Sequence, residues 1–180
     1  MTGRLICVVG PSGAGKDTLI DMARMQRPDL VIVRRVITRP SALGGEDFDG
    51  VTQAEFDRRK AAGAFALDWR AHGLSYGVPA AMLDLRDQGL DVLFNGSRAA
   101  LEQACGVFPE LQVIRITAPS SVLMERLLAR GRETRAEIEA RIQRQSYEVP
   151  SGLQVTDVRN DGPLEKAIAG FLAALDGAVP

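Results

Sequence analysis

A chain of 180 residues with 22 Lys and Arg against 23 Asp and Glu carries a formal net charge of −1. That length suits one domain able to bury a core. The charge balance excludes the bulk basic field that draws proteins to nucleic acid or anionic membranes. Two cysteines, Cys7 and Cys105, read as small buried hydrophobes rather than a disulfide or metal pair, and the single His72 excludes a histidine-rich metal site. The first apolar run is only five residues long, so neither a signal peptide nor a membrane span is expected, and the chain reads as soluble and cytoplasmic.

In chain order, Leu5-Ile6-Cys7-Val8-Val9 reads as a buried strand. Gly10-Pro11-Ser12-Gly13-Ala14-Gly15-Lys16 follows, and then a helix to about Arg27, where Pro28 stops it. This is G-x-x-x-x-G-K in its strand-to-helix setting, a phosphate-binding loop. Its glycines let the backbone approach a ligand closely. Its N–H groups form an anion nest at a helix N-terminus, and Lys16 would reach the β- and γ-phosphates of a nucleotide. Where the loop usually has Ser or Thr, a ligand of Mg²⁺, this chain has Asp17, with Thr18 next. Asp17 is a candidate metal ligand, or an acceptor from a metal-bound water. The alternative is a helix-start carboxylate that complements the macrodipole.

Leu30–Val33 is expected as a second strand, followed by three arginines in six residues, Arg34, Arg35 and Arg39. Ser41–Gly50 reads as loop, and Thr52-Gln53-Ala54-Glu55 as a capping box opening a helix to about Ala62. Phe65–Trp69 is expected as a short strand, His72–Val78 as turn-rich, and Pro79 as the first position of a helix ending near Gly89. Asp91–Asn95 reads as a buried strand with a polar end, where an open α/β sheet faces its ligand. Ser97 caps the helix after it. Gln112–Thr117 is a further strand, and a helix from Ser120 or Ser121 ends at Arg130-Gly131-Arg132. Thr134-Arg135-Ala136-Glu137 is a second capping box, heading a helix that carries Arg141. Leu153–Val158 is the last strand, Asn160-Asp161-Gly162 a turn, and Pro163 opens a terminal helix to about Leu175. This alternation predicts an α/β fold, a parallel sheet with helices on both faces.

Gly10–Lys16, Thr38-Arg39-Pro40, Tyr76-Gly77 and Arg130-Gly131-Arg132 stand in the order found in guanylate kinases, and the resemblance covers nearly the whole chain. Gly15-Lys16-Asp17, Arg35-Val36-Ile37-Thr38-Arg39, Trp69–Leu74, Tyr76-Gly77-Val78, Asn95-Gly96-Ser97-Arg98 and Arg130–Glu133 resemble more closely the ribose 1,5-bisphosphate phosphokinase branch of that superfamily. The resemblance implies a P-loop NTPase with a nucleoside-monophosphate-kinase-like architecture. A core at 1–34 and 80–180 would carry an acceptor lobe at about 35–79 and an arginine-bearing lid at about 129–144. It also implies transfer from ATP, with Mg²⁺, to ribose 1,5-bisphosphate, giving ADP and 5-phospho-ribose 1-diphosphate (PRPP), in phosphonate breakdown and PRPP supply. A monomer and a homodimer are both compatible with it.

Carried over residue by residue, the resemblance puts Gly10, Pro11, Ser12, Gly13, Ala14, Gly15, Lys16, Asp17, Thr18 and Asn160 around the nucleotide. Lys16, Arg39, Arg130 and Arg141 would act at the transferring phosphoryl group, Arg35, Arg39, Tyr76, Asn95 and Arg98 at the acceptor, and Asp17 at the metal. The Ser, Glu and Asp that read guanine in a guanylate kinase align with Arg35, Leu67 and Asn95; a phosphate-binding Tyr and Arg align with Phe48 and Ala42. Leu67 accepts no hydrogen bond, so the base pocket is expected to be dismantled and refilled by the Arg35 cation. Three alternatives stand beside this expectation: a true guanylate kinase, a small-metabolite kinase using a carboxylate base such as Asp68 or Asp47, and an inactive binding module.

Overall fold

The computed structural model describes residues 2–40, 46–144 and 149–177; Ala42 lies outside them. Strand β1, Leu5–Val9, is buried at every position. It lies in the middle of a parallel sheet with β2 (Val31–Ile32), β7 (Val92–Asn95), β8 (Gln112–Thr117) and β9 (Gln154–Arg159), ordered β2-β7-β1-β8-β9. A strand covered on both faces needs apolar side chains at every position, which explains its unbroken run. Alternate residues feed two cores. Ile6 and Val8 pack with Leu19 and Ile20 of α1 (Lys16–Gln26) and Phe171 of α7 (Leu164–Leu175). Leu5, Cys7 and Val9 pack with Phe94 and with Ala100 and Leu101 of α4 (Arg98–Val107). The expected layers, helices on both faces of a parallel sheet, are therefore present.

The second sheet comes from the stretch expected as an inserted lobe. Its order is β4-β3-β6-β5, with β3 Arg35–Ile37, β4 Phe48–Gly50, β5 Phe65–Ala71 and β6 Leu74–Pro79. Two expectations are corrected here. The stretch His72–Val78 is not turn-rich: only His72 and Gly73 form the turn, at φ 51 and 75, and β6 follows. Both are left-handed, as a two-residue hairpin whose twist matches its strands requires. The expected loop before residue 50 contains β4, which pairs parallel to β3. Gly77 carries the local signal of a turn. It lies within β6 because a Cβ there would come within 2.7 Å of the Phe65 ring.

The helix starts follow the side-chain caps. Thr52 Oγ1 accepts from Glu55 N at 3.2 Å at the head of α2 (Gln53–Ala61), and Ser97 Oγ accepts from Ala100 N at 3.3 Å. At α6 (Arg135–Arg144) both halves of the capping box form: Thr134 N donates to Glu137 Oε2 at 2.8 Å, and Glu137 N to Thr134 Oγ1 at 3.4 Å. Pro79 sits just before α3 (Ala80–Leu83) rather than inside it, and the chain continues as a 3-10 turn to Gln88. Helix α5 spans Ser120–Ala129, with Arg130 at its C-terminal cap. Among the described residues no helix is long and apolar enough to cross a membrane.

Candidate active site

The phosphate loop leaves the C-terminal end of β1 and enters α1 through Gly15, whose φ is 93. Neither Gly10 nor Gly15 has room for a side chain. A Cβ would lie 2.4 Å from Ile116 O at the first and 2.4 Å from Asn160 Nδ2 at the second. Three side chains hold the loop's carbonyls. Lys16 Nζ donates to Gly10 O at 2.8 Å and Pro11 O at 3.2 Å. Arg126 Nη1 donates to Gly13 O at 3.3 Å, and Asn160 Nδ2 to Ala14 O at 2.7 Å. In a trans peptide the N–H points opposite to its C=O. Turning the Pro11 and Ala14 carbonyls onto Lys16 and Asn160 therefore directs the Ser12 and Gly15 N–H groups to the other side. The N-cap of α1 is Gly15, which has no side chain to satisfy the first turn, so that N-terminus keeps its affinity for an anion.

The Lys16 pKa is lowered to about 8, chiefly by burial, with Asp17 pulling it up and Arg35 pulling it down. A bound polyphosphate would restore the full positive charge. Asp17, the exposed second residue of α1, accepts a hydrogen bond through Oδ1 from Asn95 Nδ2 at 2.9 Å. Asn95 ends β7 beside β1 and is buried. The common hydroxyl-and-carboxylate pair of such loops is thus replaced by a carboxylate on the helix and an amide on the strand. This donor set fits a hard cation: one carboxylate, whose Oδ2 makes no hydrogen bond among the described residues, stands at the head of α1 beside the phosphate loop, and Mg²⁺ is typically held by one or two carboxylates plus substrate phosphates.

A cleft of about 470 Å³ opens between this loop and the second sheet. Arg35, on β3, is 6% exposed. Its Nε donates to Glu46 Oε2 at 3.0 Å, and its Nη2 donates to Glu46 Oε1. The guanidinium carbon lies 5.1 Å from the Tyr76 ring centroid and 5.7 Å from that of Trp69. These two rings face each other across β5 and β6, stacked at 5.4 Å. Arg39 lies over the Phe48 ring at 4.5 Å. The aromatic residue at the family's tyrosine position therefore carries an arginine on its face. Burial raises the Tyr76 pKa, while Arg35 and Arg39 lower it. Arg98, Arg130 and His72 line the same cleft.

The fold thus brings Gly10, Ser12, Gly13, Gly15, Lys16, Asp17, Thr18, Arg35, Arg39, Tyr76, Asn95, Arg98 and Arg130 to one cleft. Pro11, Ala14, Asn160 and Arg141 are not on its wall. Ala14 is buried under the loop, and the buried Asn160 donates from Nδ2 to the Ala14 carbonyl, which props the phosphate loop. Arg141 donates through Nη2 to Glu133 Oε1 at 2.5 Å, within the stretch expected as a lid. Leu67, 1% exposed, belongs to the core under the cleft. Sequence reasoning missed two residues. Arg126 stands four before Arg130, one turn away on the same helix face, a spacing that could have revealed it. Glu46 carries no local signal, because its partner is eleven residues distant.

No family model matches the chain. A ribose 1,5-bisphosphate phosphokinase of Pseudomonas paraeruginosa is 46% identical over 181 residues, spanning 98% of this chain and 97% of the relative. A bifunctional ribose 1,5-bisphosphokinase-thymidine phosphorylase of Cupriavidus pinatubonensis is 43% identical over 176 residues; the match spans 97% of this chain and 29% of that longer protein. Among solved structures, a guanylate kinase from Anaplasma phagocytophilum superposes with a TM-score of 0.70 at 21% identity, over 99% of this chain and 87% of that one, a likeness of fold. The fold is that of the guanylate-kinase-like P-loop kinases, and the chain belongs to the ribose 1,5-bisphosphate phosphokinase family.

Proposed function

We propose that the chain transfers the γ-phosphoryl group of ATP to the 1-phosphate of ribose 1,5-bisphosphate, releasing ADP and PRPP. The observation that carries this reading is the acceptor side of the cleft. An arginine covers the stacked Tyr76 and Trp69 rings, and the position that would hold a base-reading carboxylate is the buried Leu67. Such a surface suits an anionic sugar without a base. A phosphate oxygen of the acceptor attacks the γ-phosphorus; the bond from that phosphorus to the β–γ bridging oxygen breaks, and its electron pair leaves with ADP. The attacking oxygen is already ionised near neutral pH, so no general base is required.

Catalysis then rests on positioning and charge. Lys16 and the loop N–H groups would hold the β- and γ-phosphates, with Gly10 and Gly15 allowing the approach. Asp17, steadied by Asn95, would hold Mg²⁺. A cation held there would supply charge neutralisation to the transferring phosphoryl group. Arg130 would cover the transferring group. Arg141 would join it only after leaving Glu133, which makes that ion pair part of lid movement. Arg39 over Phe48, Tyr76 and Arg98 would grip the acceptor phosphates. ATP as donor supports a cytoplasmic setting, as a monomer or homodimer. The test supplies ATP, Mg²⁺ and either ribose 1,5-bisphosphate or GMP. The proposal expects PRPP from the first and no GDP from the second; GDP alone would make the chain a guanylate kinase.

A further inference from the structure

Glu46 stands apart from the residues that resemblance assigns. It sits in the cleft wall, its side chain only 18% exposed, and it meets Arg35 with both carboxylate oxygens. A guanidinium has five N–H donors. Glu46 takes the Nε–H and one Nη2–H, which form one edge of the plane. Among the described residues the second Nη2–H and both Nη1–H groups have no partner, and the second Nη2–H with one Nη1–H forms the end edge, a fork matched to two oxygens of a phosphate. The guanidinium also packs against the stacked rings of Tyr76 and Trp69, its carbon 5.1 and 5.7 Å from their centroids. Without Glu46, Arg35 would be a nearly buried cation with aromatic faces but no anion, free to turn its plane or leave the rings.

We propose that Glu46 is a positioning residue that sets the acceptor's chemical class. It clamps one edge of Arg35, so the end fork grips a phosphate of the sugar while the guanidinium keeps the Tyr76–Trp69 ledge closed to a base. This inference rests on the sugar bisphosphate reading of the same site. Its cost is an anion near a phosphate, and the two effects of removing Glu46 oppose each other. Loss of orientation weakens acceptor binding; loss of the negative charge strengthens it. The bidentate geometry and the burial of the pair make orientation the larger effect, since an arginine fork binds by its angle as well as its charge.

Trp69 is the chain's one tryptophan and lies under Arg35, so its fluorescence reports acceptor binding directly. The experiment titrates ribose 1,5-bisphosphate into the wild-type chain, Glu46→Gln and Glu46→Asp. It measures ATP affinity, melting temperature and competition by GMP alongside. Glu46→Gln should weaken sugar bisphosphate binding about ten- to a hundredfold, the scale of a lost charge-assisted hydrogen bond. ATP affinity should stay within about twofold. Glu46→Asp, which keeps the charge on a shorter arm, should recover part of the loss, and discrimination against GMP should narrow in Glu46→Gln. Unchanged or tighter sugar bisphosphate binding in Glu46→Gln overturns the inference. So does an equal loss for ATP and acceptor together with a lowered melting temperature, which would make Glu46 a structural prop. These results leave the functional reading intact as long as wild type forms PRPP. A wild-type chain that neither binds nor phosphorylates the sugar bisphosphate removes that reading, and this inference with it.

Discussion

Replacing Lys16 by methionine should stabilise the protein near neutral pH and destabilise it at high pH, while abolishing phosphoryl transfer. Burial brings the Lys16 pKa from its ordinary 10.5 down to about 8. Keeping that ammonium protonated in the folded state at pH 7 therefore costs about 3 kcal/mol. Between pH 8 and 10.5 the unfolded chain still holds the proton that the folded chain has released. The contribution of Lys16 to stability accordingly rises with pH across that window. Methionine fills a similar volume without charge, so it escapes the cost at pH 7. It also forfeits the hydrogen bonds from Nζ to Gly10 O and Pro11 O, about 1 kcal/mol each. The balance favours Lys16→Met by about 1 kcal/mol at pH 7 and wild type by about 2 kcal/mol above pH 10.5. Cys7, whose thiol burial keeps protonated, titrates alike in both proteins and cancels in the difference. Urea unfolding followed by circular dichroism at pH 7 and pH 10.5 gives that difference at each pH. A difference that does not change with pH would show a hydrated Lys16 with an ordinary pKa and would refute the reasoning.

Asp17→Ser should raise the Mg²⁺ concentration needed for half-maximal rate, with metal-free ATP affinity unchanged or better, and Asp17→Ser with Asn95→Asp should recover part of it; superimposable Mg²⁺ titrations of wild type and single variant would leave Asp17 as a helix-start carboxylate. Asn160→Ala should cost about 1–3 kcal/mol by orphaning the Ala14 carbonyl, and should raise the KM for ATP more than that for the acceptor; a KM change confined to the acceptor would contradict its role under the phosphate loop. Leu67→Glu should lose stability, because its carboxylate enters the core beside Trp69, and should not phosphorylate GMP; a folded variant with strong GMP turnover would overturn the account of the base pocket.

Elements whose cause is local were legible in the sequence. The unbroken apolar run of β1, the glycines of the phosphate loop and the caps Thr52, Ser97 and Thr134 act over a few residues, and the structure repeats them. Strand β6 was not legible, because Gly77 signals a turn, and only the Phe65 ring resting on it explains a glycine inside a strand. Strand β4 was hidden for the same reason: Asp49 and Gly50 look like loop until β3 supplies the partner. In the site, the arginines were legible but their partners were not. The sequence does not show that Glu46 answers Arg35, that Glu133 holds Arg141, or that Asn160 donates its amide to Ala14. Those are choices among several polar groups made by the tertiary fold.

The central claim is the identity of the acceptor, and phosphorus NMR tests it most directly. The purified chain with ATP, Mg²⁺ and ribose 1,5-bisphosphate should lose the sugar's 1-phosphate signal. A diphosphate pair attached to carbon 1 should appear, one equivalent for each ADP formed, while GMP in the same buffer stays unphosphorylated. Consumption of ATP to inorganic phosphate with an unchanged sugar spectrum, or formation of GDP in preference to PRPP, would contradict the account.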